Sequence, residues 1–258
     1  MEAFRTGICA GPLDVARAAA IGYDYIELNL NDVLAMDEEA YRAMAVEMRE
    51  NDLYAEVVCG PLPEGVPIVG PEVSARRLHE ALDRSFDMAQ ALGAELIVFD
   101  CETARKLPPR FDPAVAWRQL GNFVRMLQSY AASFDLKVAL LPLRRSAADL
   151  LNCASEPAMI SAMLQLDRVG VAASSYNMAM EAESLPQLRR VGSLLWHVRT
   201  SNVLGNRPPK AGDGEDYAKL FTALREMNYA GRVTAEARCA NFEADAAEAL
   251  KCLREAQK

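Results

Sequence analysis

Glu236 is the residue whose surroundings most clearly call for chemistry. It ends a short apolar run, Arg232-Val-Thr-Ala-Glu-Ala237, that follows a turn at Asn228-Tyr-Ala-Gly231. Strand alternation puts Thr234, Glu236 and Arg238 on one face and Val233, Ala235 and Ala237 on the other. A carboxylate on such a strand is costly to bury alone, so Glu236 is expected to meet a cation, a metal or a substrate. A structural ion pair and a functional carboxylate fit this segment equally well.

Other polar residues stand at the ends of apolar runs in the same way. Glu27 closes Tyr25-Ile-Glu27, Asp100 closes Glu95-Leu-Ile-Val-Phe-Asp100, and His197 and Arg199 close Leu194-Leu-Trp-His-Val-Arg199. Arg105, Arg144, Arg145, Arg207 and Arg238 follow further runs, with Lys210 nearby. Guanidinium groups in that number suit an anionic ligand such as a sugar phosphate or sugar acid. Pairing with Asp100, Glu102 and Asp213 is the alternative. His197 is placed beneath Arg199, where either structural hydrogen bonding or catalysis would suit a single histidine. Cys9, Cys59, Cys101 and Cys239 also fall at run ends. A thiolate site or nucleophile is conceivable there, but no Cys-x-x-Cys spacing supports it, and small buried thiols account for them.

These residues need elements to position them, and the hydropathy pattern supplies an alternation. Apolar runs at Phe4–Cys9, Tyr25–Leu28, Leu53–Cys59, Glu95–Asp100, Lys137–Leu141, Val169–Ala173, Leu194–Arg199 and Arg232–Ala237 read as eight strands. Amphipathic segments at Leu13–Ile21, Asp37–Asn51, Ser74–Leu92, Ala114–Phe134, Glu156–Leu166, Leu185–Val191, Asp216–Asn228 and Phe242–Ala256 read as helices. Gly60-Pro-Leu-Pro-Glu-Gly-Val-Pro67 is too proline-rich for regular structure. Eight strand–helix units without a linker or composition break predict one (β/α)8 barrel over residues 1–258. An open doubly wound sheet is the alternative. In a barrel the strand ends share one mouth, which gathers Glu27, Asp100, Arg105, Arg144, Arg145, Ser174, Asn177, His197, Arg199, Arg207, Glu236 and Arg238.

Composition narrows the classes further. The 258 residues include 28 basic and 36 acidic side chains, for a net charge of −8, and no basic tract. Nucleic acid is therefore not expected as a partner. No apolar run approaches the ~20 residues of a membrane span, and the first strand leaves no room for a signal peptide. Six scattered cysteines suit free thiols, so the chain is expected to be cytoplasmic.

Several motifs together resemble the xylose-isomerase-like family of sugar phosphate isomerases and epimerases. They are Gly22-Tyr-Asp-Tyr-Ile-Glu27, Leu92-Gly-Ala-Glu-Leu-Ile-Val98, Leu141-Pro-Leu-Arg-Arg145 with Asn152 beyond it, Trp196-His-Val198, Gly212-Asp-Gly-Glu-Asp-Tyr217 and Asn228-Tyr-Ala-Gly-Arg-Val-Thr-Ala-Glu236. The resemblance implies a divalent metal held by Glu, Asp, His and Glu at the ends of strands five to eight. Those positions fall here on Leu141, Ser174, Arg199 and Glu236, so only the last is kept. A substrate-contacting His falls on Asn177, a second catalytic carboxylate on Ala147, and an Asn-Arg pair on Asn206-Arg207.

A leucine, a serine and a guanidinium cannot replace hard metal ligands. The expectation is therefore a barrel without metal or other cofactor, acting on a small, anionic carbohydrate by proton transfer beside a carbonyl. Glu236 would be the base, Arg199 the electrostatic stabiliser and His197 a further catalytic group. Glu27, Arg105, Arg144, Arg145, Ser174, Asn177, Arg207 and Arg238 would bind substrate. The alternative is a non-catalytic carbohydrate-binding protein or a pseudoenzyme subunit of a complex. A homo-oligomer is expected in either case.

Overall fold

The computed structural model describes residues 3–236 and 239–258. Strands β1 (Thr6–Cys9), β2 (Tyr25–Asn29), β3 (Val57–Cys59), β4 (Leu96–Phe99), β5 (Lys137–Leu140), β6 (Val169–Ser174), β7 (Leu195–Thr200) and β8 (Arg232–Ala235) form a closed parallel barrel in chain order. The ring closes where Thr6 to Ile8 of β1 pair with Val233 to Ala235 of β8. The (β/α)8 architecture read from the alternation is thus the fold observed.

Helices α1 (Val15–Ile21), α2 (Leu30–Leu34), α3 (Glu38–Glu50), α4 (Ala75–Ala91), α5 (Pro113–Ser133), α6 (Ser155–Met163), α7 (Ser175–Met180), α8 (Leu185–Leu188), α9 (Tyr217–Glu226) and α10 (Phe242–Ala256) surround the strands. Two of them, α2 and α7, do not follow from hydropathy. Each is a short turn beginning where a strand ends, and the strand's last side chain caps it. Asn29 accepts from the Asn31 N–H, and Ser174 from the Asn177 N–H. The strand read at Leu53–Cys59 is laddered only over Val57–Cys59, and the last strand stops at Ala235. No helix among the described residues is long and apolar enough to cross a membrane.

Both faces of each strand are covered, which explains the near-continuous apolar runs. Outward-facing Ile26, Leu28, Ile97, Phe99, Val138 and Val171 pack beneath the helices. A smaller inner cluster of Tyr25, Val57, Leu96, Val98, Ala139 and Ala172 fills the barrel. Burial of each large apolar side chain contributes about 1.5–3 kcal/mol, so the two layers together supply the main driving force.

One irregularity decides the mouth. Val171 of β6 pairs with Leu195, but the next residue, Ala172, pairs with His197, so β7 carries a bulge at Trp196. The bulge lets two consecutive residues face inward. Trp196 packs on the inner cluster, and a Cβ at Gly170 would come within 2.4 Å of its indole, so only glycine admits the ring. His197 and, two residues on, Arg199 are thereby aimed along the barrel axis.

Candidate active site

The carboxyl ends of the strands surround a cavity of about 690 Å³ lined in part by Cys9, Glu27, Asn29, Asp32, Arg199 and Glu236. At its floor lies the Arg199 guanidinium, only 4% exposed. Arg199 Nε donates to Glu27 Oε1 at 2.9 Å, and Nη2 donates to the same oxygen. Nη1 donates to Asp100 Oδ2 at 2.9 Å and to Glu236 Oε1 at 3.4 Å. Three carboxylates from β2, β4 and β8 thus converge on one cation from β7.

Below Arg199 the polar contacts continue down the axis. His197 Nε2 lies 3.0 Å from Glu27 Oε2 and 3.1 Å from Thr234 Oγ1, which shares a 2.7 Å hydrogen bond with the Tyr25 hydroxyl. Among the described residues His197 Nδ1 has no partner, which suits the tautomer that carries its proton on Nε2 and donates it to Glu27. Burial alone would raise the Glu27 carboxyl, but the neighbouring Arg199 and His197 outweigh it and hold the group well below the usual carboxylate range. Arg199 is the mirror case. Burial disfavours its charge, yet Glu27 and Asp100 keep it firmly protonated.

Above Arg199 the two remaining carboxylates are each fixed a second time. Ser174 donates its hydroxyl to Glu236 Oε2 at 2.6 Å, and the Gly60 N–H donates to Asp100 Oδ1 at 2.9 Å. Gly60 has φ +65°, and a Cβ there would stand 2.7 Å from Asn29 Oδ1, so a side chain is excluded where the backbone reaches Asp100.

Of the residues expected at the mouth, Glu27, Asp100, Ser174, His197, Arg199 and Glu236 form this one network. Arg199 reaches Glu236, but Glu27 and Asp100 hold the guanidinium more closely. Glu27 and His197 are buried beneath Arg199, Glu27 in direct contact with it and His197 in contact with Glu27.

Most of the other arginines point elsewhere. Arg105 is wholly buried, its Nε and Nη1 donating to the carbonyls of Cys101 and Leu141 and its guanidinium 5.3 Å from the Phe99 ring centroid. Among the described residues no carboxylate pairs with it, and burial pulls it down to about 10. Arg144 stands over the Tyr176 ring and 3.6 Å from Glu102, while its N–H donates to Asn177 Oδ1. Arg145 pairs with Glu181. Arg207 forms a backbone bridge with Asn202. Arg238 lies outside the described residues.

Asp100, expected at the mouth from its strand end, and Thr234, expected on the same strand face as Glu236, complete the network. Asp100 gives the same signal as Glu236, an acid closing an apolar strand, and its role becomes visible only once β4 and β7 share a barrel. The cysteines do not form a nucleophilic set. Burial, reinforced by nearby carboxylates, pushes the Cys9 and Cys59 thiols up, which disfavours thiolate. Among the described residues no group of three or more His, Cys, Asp or Glu side chains is disposed around a common metal position. A hollow of about 610 Å³ at the opposite end of the strands is lined by Glu95, Lys137, Arg168, Trp196 and Arg232. Barrel chemistry belongs to the other end, where the loops after the strands meet.

The description "xylose isomerase-like TIM barrel" matches residues 15–256. A comparison with curated proteins finds no match. Among solved structures, 3-keto-D-glucoside 4-epimerase from E. coli is similar at 22% identity and TM-score 0.80, covering 98% of this chain and 99% of that one. D-allulose 3-epimerase from Methylomonas sp. is similar at 18% identity and TM-score 0.84, covering 99% of each chain. D-psicose 3-epimerase from Clostridium cellulolyticum H10, solved with D-tagatose, is similar at 18% identity and TM-score 0.83, covering 98% of this chain and 99% of that one. At these identities the likeness speaks for the fold.

Proposed function

The chain belongs to the xylose isomerase-like TIM barrel family, and from that premise we propose that it moves a proton beside the carbonyl of a small keto sugar without a divalent metal. The observation that carries this reading is the Arg199 guanidinium at the floor of the mouth, inside a ring of three carboxylates. A divalent ion does not fit this donor set. Leu141 presents an alkyl group, Ser174 spends its hydroxyl on Glu236, and the positive charge of Arg199 would repel the ion. In its place the guanidinium itself supplies a fixed positive charge and directional donors, the preorganised electrostatics that an enediolate needs.

Glu236 is placed to act as the base. It is partly open to the mouth, and its carboxylate is oriented by Ser174 and Arg199. Removing the proton from the carbon beside the carbonyl places negative charge on the carbonyl oxygen, and Arg199 stabilises it. Glu27 positions that guanidinium directly, and His197 does so through Glu27. Similar barrels carry the names of sugar epimerases, and one was solved with D-tagatose, which supports a ketose. Arg105, Arg144 and Arg145 are committed to protein groups, so a neutral sugar suits this mouth better than a phosphate or sugar acid.

The test is a screen of ketoses with and without a chelator, beside elemental analysis of the purified protein. The expected result is chelator-resistant turnover with no stoichiometric metal, abolished in Glu236→Gln and strongly reduced in Arg199→Lys, which keeps the charge and loses the fork. Metal-dependent turnover would overturn the reading. Specific sugar binding without turnover would favour the non-catalytic carbohydrate-binding alternative.

A further inference from the structure

We propose that the hollow at the amino end of the barrel is a second binding site, separate from the mouth, for a small organic anion with a flat apolar body. Such binding does not depend on the proton-transfer reading of the mouth.

The hollow, of about 610 Å³, opens where β4, β5, β7 and β8 begin. Leu96, Lys137, Leu195 and Arg232, the first residues of those strands, all line it. Leu96, Leu195, Trp196, Met227 and Tyr229 make an apolar wall, and Lys137, Arg168 and Arg232 bring positive charge to it. An apolar lining with a few convergent polar groups is the usual make-up of a small-molecule site. A second hollow of about 640 Å³ shares the stretch Asn228 to Arg232 and adds Arg5 and Arg225. Among the described residues Glu95 and Asp135 are the only carboxylates lining either hollow, with Glu56 paired to Arg5 and Arg232. On a chain of net charge −8, this end therefore gathers positive potential, which draws in anions.

The cations here can turn to a ligand at little cost. Lys137 pairs with no carboxylate among the described residues, and its Nζ stands 5.4 Å from the centroid of the Trp196 ring. Arg168 pairs with Asp135 and Arg232 with Glu95, but those two acids are 87% and 65% exposed. Ion pairs that open to water contribute about 0–1 kcal/mol each, so a bound anion can replace them. Around the mouth the opposite holds, since Arg145 binds the mostly buried Glu181 and carboxylates enclose Arg199. The Lys137 ammonium sits on a flexible stem and can swing from the indole to the charge of a ligand. The half-buried Trp196 then offers its face to the ring of that ligand. One small molecule can thus use both groups at once.

Trp117 and Trp196 are the two tryptophans of the chain, so Trp117→Phe leaves the indole of the hollow as the one tryptophan reporter. In that background phenyl phosphate is titrated beside inorganic phosphate and benzyl alcohol, which carry the charge alone and the ring alone. The expected result is a saturable change in Trp196 emission with phenyl phosphate, at least about tenfold tighter than with either of the others. Lys137→Met and Arg168→Met should each weaken it by about ten- to hundredfold, as loss of a charge-assisted contact does. Arg199→Lys at the mouth should leave it unchanged, and thermal unfolding verifies that every variant is folded. Absence of a saturable change overturns the proposal, as does binding that survives both hollow variants or is lost in Arg199→Lys instead. Equal binding of benzyl alcohol or of inorganic phosphate also overturns it, because the hollow would then not read charge and ring together.

Discussion

Arg199 and Glu27 lie side by side under the mouth of the barrel, Nε to Oε1 at 2.9 Å, in a place that water scarcely reaches. Neither group could be buried there alone. Each has a further anchor, Asp100 for the arginine and His197 for the glutamate, so the pair works as a fixed floor. Removing one partner should be far worse than removing both, because it leaves an uncompensated buried charge. Glu27→Gln is expected to destabilise the protein by about 3–5 kcal/mol. Adding Arg199→Met should recover part of that loss, which denaturant midpoints of the two variants will measure.

The same pair predicts how stability responds to acid. The folded-state Glu27 carboxyl lies well below its reference value of 4.5. A lowered carboxylate contributes stability that is fully present above the unfolded value and is lost as pH falls toward the folded one. Stability should therefore decline progressively below about pH 4.5. Denaturant titrations across that range should show a flatter acid limb in Glu27→Gln than in wild type. Parallel limbs would mean that Glu27 does not carry the dependence.

Gly60 offers a backbone test of the Asp100 anchor. An alanine there meets both a left-handed φ of +65° and Asn29 Oδ1 at 2.7 Å. Gly60→Ala should cost roughly 1–2 kcal/mol from the backbone conformation alone, and more if Asn29 cannot yield. Because the Gly60 N–H orients Asp100, turnover of a ketose should fall as well. Thermal unfolding and steady-state kinetics on the same variant measure the two effects separately.

Ser174→Ala removes one hydrogen bond to the Glu236 carboxylate together with the cap of α7, and leaves the Arg199 contact in place. Hydrogen bonds to charged groups contribute about 1.5–3 kcal/mol, so kcat should drop roughly ten- to hundredfold. Steady-state kinetics of Ser174→Ala check this, and a serine that only caps α7 would leave kcat unchanged.

The arginines mark where reading residues one at a time fails. Arg105, Arg144 and Arg145 look alike in the sequence, each just past a strand. In the fold Arg105 is wholly buried on backbone carbonyls, Arg144 covers Tyr176, and Arg145 binds Glu181. A charged residue in a loop has many possible partners, and local sequence does not rank them. Glu236 and Glu27 were legible because an acid at the end of an apolar strand needs compensation wherever that strand packs.

What the chain alone determined is the barrel, because alternating apolar runs and amphipathic helices with no linker can bury their surfaces only by closing into layers. The same reasoning placed Glu27, Asp100, His197, Arg199 and Glu236 at strand ends. Tertiary structure decided that Glu27, Asp100 and Glu236 converge on Arg199 and that the inserted Trp196 turns β7 so that His197 and Arg199 both face the axis. Bulges and cross-barrel ion pairs arise from how strands register against distant neighbours. That registration depends on contacts between residues far apart in the chain, and no window along one segment contains it.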